Sequence, residues 1–315
     1  MSPIQQQQRD LFCFRNPAEA FEKLQPILSS LLGHPEMGWL AQTFEDTRAL
    51  FEGSYPGYRA CNTLYHDFSH TMSVVSASVR LLDGCLGNGF ILSPRNRLLT
   101  LISSFFHDVG LIQTESDPNP SGAVYTIGHE ERSIGFMKGY LRLRDFSKRE
   151  ISDCANIIRC TILSLSPMQI SFSSEEIRTC GHIVGSADLL AQMADRVYLE
   201  KLFFLFGEFQ EAGLPDMGTE LDFLRRSKEF YENVVKKRLE KDLGNIRRHL
   251  QSHFKNRLGI DADLYAEAMA KNNDYLNTII THCPNSLDCC QGYLRRERSQ
   301  RNRKSSGSRP IQHRK

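Results

Sequence analysis

Ser93-Pro94-Arg95-Asn96-Arg97-Leu98-Leu99-Thr100-Leu101-Ile102-Ser103-Ser104-Phe105-Phe106-His107-Asp108 is the stretch that decides the fold. A serine able to cap a helix is followed by a proline, whose fixed φ and missing N–H suit the first helical position. Leu98, Leu99, Leu101, Ile102 and Phe105 then recur every three or four residues, which lines one face of a helix. The same punctuation appears elsewhere. Asn16-Pro17-Ala18-Glu19 precedes Phe21, Leu24, Ile27, Leu28 and Leu31, while Ser147-x-x-Glu150 and Ser173-x-x-Glu176 have capping-box form ahead of the apolar stretches around 157–165 and 177–190. The alternation of a half-buried strand is absent. The spacing predicts an all-α protein of at least seven helices, with breakers at Gly53-Ser54-Tyr55-Pro56-Gly57, Asp117-Pro118-Asn119-Pro120-Ser121-Gly122 and Gly213-Leu214-Pro215. Polar-faced stretches at about 219–250 and 262–282 continue the helical pattern. No repeat or linker interrupts the middle of the chain, so the expected organisation is a flexible segment 1–15, one compact multi-helix domain 16–292 and a basic disordered tail 293–315.

Composition narrows the function classes. The chain has 315 residues, 40% hydrophobic and 24% charged, enough for a substantial core. No apolar run reaches the roughly 18 residues of a membrane helix, and the start, with Gln5–Gln8, lacks the pattern of a secretory signal. The expected location is cytoplasmic. In that reducing setting the nine cysteines should be mostly buried thiols, and the cluster Cys283, Cys289, Cys290 has no zinc-site spacing and reads as packing. The net charge of +2 is uneven: residues 295–315 carry nine Lys/Arg against Glu297 alone, leaving 30 basic and 36 acidic side chains, a net −6, on the rest. Such a tail reads as solvated, with contact to nucleic acid or an anionic membrane as the alternative, and the acidic body argues against a nucleic-acid-binding domain.

Three segments carry chemistry. Tyr65-His66-Asp67-Phe68-Ser69-His70 places two histidines four apart at the head of an apolar-periodic segment, on one face if that segment is helical. Phe106-His107-Asp108-Val109-Gly110 puts an adjacent His-Asp pair at the end of a very apolar helix. Ser186-Ala187-Asp188-Leu189 puts a lone carboxylate within an apolar helix that is expected to run on toward Leu202–Phe206. A single histidine on an apolar face is more often a hydrogen-bonded core residue. Three such residues on three apolar segments are costly to bury unless something occupies them, and a divalent cation takes imidazole nitrogen and carboxylate oxygen directly.

These segments, over roughly residues 60–210, resemble the HD superfamily of metal-dependent phosphohydrolases, and within it most of all the catalytic domain of class I cyclic-nucleotide phosphodiesterases. Tyr65-His66-Asp67-x-x-His70 resembles that family's Tyr-His-Asn-x-x-His, His107-Asp108 its His-Asp motif and Ala187-Asp188-Leu189 its Ala-Asp-Leu. The resemblance implies a first divalent metal on His70, His107, Asp108 and Asp188, a second facing Asp108, and His66 as general acid. The implied reaction is hydrolysis of a phosphoester, of a nucleotide by the same resemblance, by in-line attack of a metal-activated water, with a histidine returning the proton to the leaving oxygen. Zn, Mg, Mn and Fe are not distinguished.

Gly128-His129-Glu130-Glu131-Arg132-Ser133 resembles the His-Glu-x-x-Ser segment of many HD proteins, so His129 is expected at the second metal or the substrate phosphate. Asn156-Ile157-Ile158-Arg159-Cys160-Thr161 reads as packing. His182 points to a different helix face from Asp188, Gln192 lies one turn past Asp188 and is placed at the site mouth, and His34, His249, His253, His282 and His313 have no metal-like context. Two departures bear on the substrate: Asp67 stands where the family carries Asn, and no glutamine-and-aromatic purine clamp is found after residue 210. A nucleotidase acting on linear monophosphates and a degenerate HD binding or signalling module therefore stand beside the phosphodiesterase reading. Substrate-binding residues and oligomeric state are left open.

Overall fold

The computed structural model describes residues 16–294. Twelve α-helices follow one another: α1 (Pro17–Leu31), α2 (His34–Glu52), α3 (Phe68–Gly87), α4 (Pro94–Phe106), α5 (His129–Arg142), α6 (Lys148–Arg159), α7 (Glu175–Met193), α8 (Tyr198–Glu211), α9 (Glu220–Phe230), α10 (Leu250–Leu258), α11 (Leu264–His282) and α12 (Leu287–Tyr293). Among the described residues there is no strand, only an isolated antiparallel bridge between Tyr58 and Thr114. The protein is all-α. None of these helices is long and apolar enough to cross a membrane.

Helix α3 is the hub. Its residues from His70 to Leu82 are buried almost without interruption, the pattern of a helix surrounded by others rather than lying on a surface. It packs against α1, α4, α7 and α10. Gly84 allows the closest of these approaches, because a Cβ there would stand 2.1 Å from the His249 carbonyl oxygen. The remaining helices add their apolar faces to a single cluster that runs from Ala20 to Leu294.

The caps are local and specific. Asn16 accepts from Ala18 and Glu19, Ser93 from Asn96, and Ser147 forms a full capping box with Glu150. At α7 the expectation needs correction: Ser174, not Ser173, is the cap, accepting from the Ile177 N–H. Glu176 instead reaches across to the start of α4, accepting from Ser93 N at 3.0 Å and Asn96 Nδ2 at 2.6 Å. A tertiary partner has taken the carboxylate that a local box would have used.

Three further expectations are revised. The helix bearing Asp188 does not continue to Phe206, because it stops at Met193 and α8 begins at Tyr198. Asn272, buried on α11, pins that corner by donating to the carbonyls of Met193 and Asp195 at 2.9 and 2.8 Å. The 219–250 stretch breaks into α9, π-helical turns at Tyr231–Val235 and Arg238–Asp242, and a 3-10 turn at Ile246–His249. Positive φ at Gly244 and Asn245 ends the run, and Arg238 turns inward to bind the carbonyls of Cys160, Ile162 and Leu165. Finally, Cys283 and Cys289, expected as thiols, form a disulfide with Cα atoms 5.6 Å apart: the turn Pro284–Ser286 folds α12 back so that the two residues meet. The other described cysteines are free.

The segments 1–15 and 295–315, with the basic run, lie outside the described residues. Tyr293 and Leu294, assigned to the tail by sequence, belong to the helical body: Tyr293 closes α12, and Leu294 is buried.

Candidate metal centre

Asp67 caps α3, accepting from the His70 N–H at 2.8 Å. This gives the unexpected acid a structural task and fixes His70 in the first turn. His66 therefore precedes the helix instead of sharing its face, a correction to the helical reading, and its loop position is set otherwise. Thr63 Oγ1 donates to the His66 carbonyl, and Glu208 on α8 accepts from Tyr65 N at 2.6 Å and meets His66 Nδ1 at 2.6 Å. The His66 and His70 rings still lie 5.8 Å apart.

His107 and Asp108 follow the last turn of α4 and lead into a 3-10 turn, Val109–Leu111. His107 Nδ1 donates to the Ser104 carbonyl at 2.8 Å, which turns Nε2 toward the other side chains of the centre. Next in the chain Gly110 receives α5, since its N–H donates to Ser133 Oγ at 2.8 Å and a Cβ there would come within 2.0 Å of the His129 carbonyl oxygen. That contact sets His129, the first residue of α5, with Nδ1 bound to the Thr126 carbonyl and Nε2 3.2 Å from Asp108 Oδ1. Asp188 projects from α7.

The side chains converge. His70, His107 and Asp108, all buried, offer ligand atoms within 4.8 Å of one another. Asp188 Oδ1 lies 3.3 Å from His70 Nε2 and 3.7 Å from His107 Nε2. His107 Nε2 and Asp108 Oδ2 are 3.0 Å apart, yet neither has a hydrogen-bond partner. Two such atoms in a dry interior cost about 1–3 kcal/mol each if nothing occupies them. Imidazole nitrogens and carboxylate oxygens around one point are the donor set of a divalent transition metal or magnesium, so these residues fit the group that the sequence implies. Asp188, about a quarter exposed, His66 and His129 face the more open side.

The charges are mutually stabilising. Burial works against charge on His107, but Asp108 and Asp188 outweigh it and hold its pKa well above the usual value. Burial likewise opposes ionisation of Asp108 and Asp188, and the neighbouring imidazoles, led by His107, reverse this and keep both carboxyls below their ordinary range. Desolvation also works against charge on the half-buried His129, but its contact with Asp108 raises its pKa to about 9.

A family model described as Npun_R2479-like matches residues 55–274. The chain belongs to the Npun_R2479-like family. The matched span contains all six candidate side chains and Glu208, and it leaves out α1, α2, the last part of α11 and α12. The Npun_R2479-like description carries no activity with it. No curated protein matches the chain.

Glu208 is the functional candidate that sequence reasoning missed. Its signal was present: an acid inside the apolar run Leu202–Phe209 meets the same desolvation argument that singled out Asp188. The other assignments separate as follows. His182 is half-buried against Gly244 and the edge of Phe172, its pKa pushed down to about 4 by burial. Ile157 and Ile158 are fully buried, and Gln192 is half-buried. His253, which carries no metal-like context in sequence, pairs with Asp83 at 2.7 Å beside Arg257.

Proposed function

We propose that this protein is a metal-dependent phosphohydrolase of the HD type, acting on a phosphoester of the nucleotide class. One observation carries the reading: His107 Nε2 and Asp108 Oδ2, buried without a hydrogen bond, sit 3.0 Å apart at the meeting point of His70 and Asp188. His70, His107, Asp108 and Asp188 would hold one divalent cation, and Asp108 Oδ1 with His129, 3.2 Å from it, would be available to a second. Cations bound there supply positive charge for the phosphoryl oxygens and acidify a water.

The chain's own residues do the rest. Glu208 fixes the His66 ring through Nδ1 and balances the positive charge of its doubly protonated form, which leaves Nε2 to hand a proton to the leaving oxygen. The helical walls of α3, α4 and α7 exclude water from the inner side of the centre, which strengthens every charge interaction within it.

The test is metal analysis of the purified full chain together with a hydrolysis screen over cyclic mononucleotides, linear nucleoside monophosphates and bis(4-nitrophenyl) phosphate. Bound metal at one or two ions per chain and hydrolysis abolished by chelation are expected. Metal bound with no phosphoester cleaved would replace this reading with that of a binding module.

A further inference from the structure

We infer, on the strength of the reading just given, that Arg132 is a positioning residue, which holds His129 against Asp108 and so builds the place for a second cation. The carboxylate and the imidazole stand 3.2 Å apart, although Asp108 lies in the turn after α4 and His129 begins α5. Two consecutive residues of α5 join these elements. Ser133 Oγ accepts the Gly110 N–H at 2.8 Å, and Arg132 Nε donates to the Gly110 carbonyl at 2.7 Å. Gly110 is two residues past Asp108, and Arg132 is three past His129, so these bonds set the separation of the pair. Ser133 is buried. The Arg132 side chain is 38% exposed, and a bond from so long and open a side chain ordinarily costs it rotamer freedom.

The loop between Gln113 and Tyr125 removes that freedom in advance. The Arg132 guanidinium lies 3.5 Å over the Tyr125 ring, and the Tyr125 hydroxyl donates to Asp117 Oδ2 at 2.5 Å. Arg132 Nη2 stands 3.9 Å from the same oxygen. Asp117 is a buried carboxylate in a proline-rich loop, costly unless its oxygens are bound. Its other oxygen accepts from the N–H and the side-chain amide of Asn119 at 3.0 and 3.2 Å, and Arg59 donates to its carbonyl at 2.6 Å. These bonds fix the ring on which Arg132 rests. The arrangement requires a guanidinium, because its planar fork stacks on a ring while donating sideways from Nε, which an ammonium cannot do. Glu131, next to Arg132 on α5, is committed instead to Arg159 on α6 at 2.8 Å.

The experiment titrates the chelator-treated full chain with Mn²⁺ by calorimetry and records the electron paramagnetic resonance spectrum, in which two neighbouring ions are exchange-coupled. Wild type should bind two ions. Arg132→Gln should leave the Kd of the first unchanged and weaken the second by roughly 10–100-fold, the usual effect of losing a residue that orients a ligand, with loss of the coupled spectrum. Arg132→Lys should behave like Arg132→Gln. Tyr125→Phe keeps the ring and loses only the hydroxyl, so it should weaken the second ion less, and it carries the test if Arg132→Gln does not fold. Glu131→Gln breaks an ion pair on the same turn of α5 and should change neither ion. Wild-type binding of both ions by Arg132→Gln, an equal loss of both, full rescue by Arg132→Lys, or the same weakening in Glu131→Gln would overturn the inference. A wild type that binds a single ion would also overturn it, leaving the phosphohydrolase reading on the first cation. A wild type that binds none would overturn both.

Discussion

Nδ1 of His66 stands 2.6 Å from Oε2 of Glu208, across 142 residues of chain. The bond orients a ring that no helix holds, and in the proposed mechanism it serves proton transfer rather than metal binding. His66→Asn should therefore retain the bound metal and lose on the order of 10²–10⁴ in kcat. Glu208→Gln keeps an acceptor but not the charge, and a smaller loss, on the order of tenfold, is expected at unchanged metal content. If His66→Asn strips the metal, His66 is a ligand and the assignment of roles is wrong.

Occupation of the centre should be visible in stability. An ion that binds only the folded chain stabilises it by about 2.7 kcal/mol at one hundred times its Kd, which for a domain of this size raises Tm by roughly 5–10 °C. Adding Mn²⁺ or Zn²⁺ to chelator-treated protein should produce that rise in a thermal melt. His70→Ala and Asp188→Ala should abolish it together with activity, and a variant that kept the full shift would remove its residue from the ligand set.

Away from the centre, acid sensitivity should come in part from the pair Asp83–His253. Burial is the main cause that lowers the His253 pKa below 6.5, with Arg80 and Arg257 adding to it against the pull of Asp83. Burial opposes ionisation of Asp83, and bonds from His253 and Arg257 override it, so its pKa lies below 3.8. Asp83 does draw a proton toward His253, but burial outweighs that pull. The unfolded chain takes up each proton at a higher pH than the folded chain does. The histidine contribution is thus present above about pH 6.5 and lost on acidification below it, and the Asp83 contribution is lost below about 3.8. Urea denaturation at pH 7 and pH 5 should show wild type losing more stability than His253→Gln. Equal losses would exclude His253 as the source.

Gly110→Ala should disconnect α5 from the centre. The added methyl would meet the His129 carbonyl oxygen at 2.0 Å and Ser133 N at 2.7 Å, both backbone atoms that cannot turn aside as a side chain can. Displacement of His129 is expected, with destabilisation of about 1–3 kcal/mol and loss of activity larger than loss of the first metal. An unchanged melt and unchanged turnover would show that α5 does not depend on this contact.

What the sequence disclosed follows the range of the interactions involved. Caps such as Asn16 and Ser147, and the apolar stripe of α4, act within a few residues, and periodicity reveals them. His70, His107, Asp108 and Asp188 were legible because each is an anomaly in an apolar run, and their convergence in the structure needs the hub α3 with α4 and α7 packed against it. Glu176 and the 219–250 stretch were misread because distant partners decide them: the start of α4 takes the carboxylate, and the 160–165 carbonyls take Arg238. The disulfide between Cys283 and Cys289 depends on a turn direction that spacing does not encode.

The long chain separation between His66 and Glu208 also has a bearing on biosynthesis. His70, His107 and Asp108 are all translated at least 80 residues before Asp188 and at least 100 before Glu208. At about 5–20 residues per second, the nascent chain carries two imidazoles and one carboxylate for roughly 4–16 s before their fourth companion is made. A fragment that stops short of α8 can contain the four converging side chains without the anchor of His66.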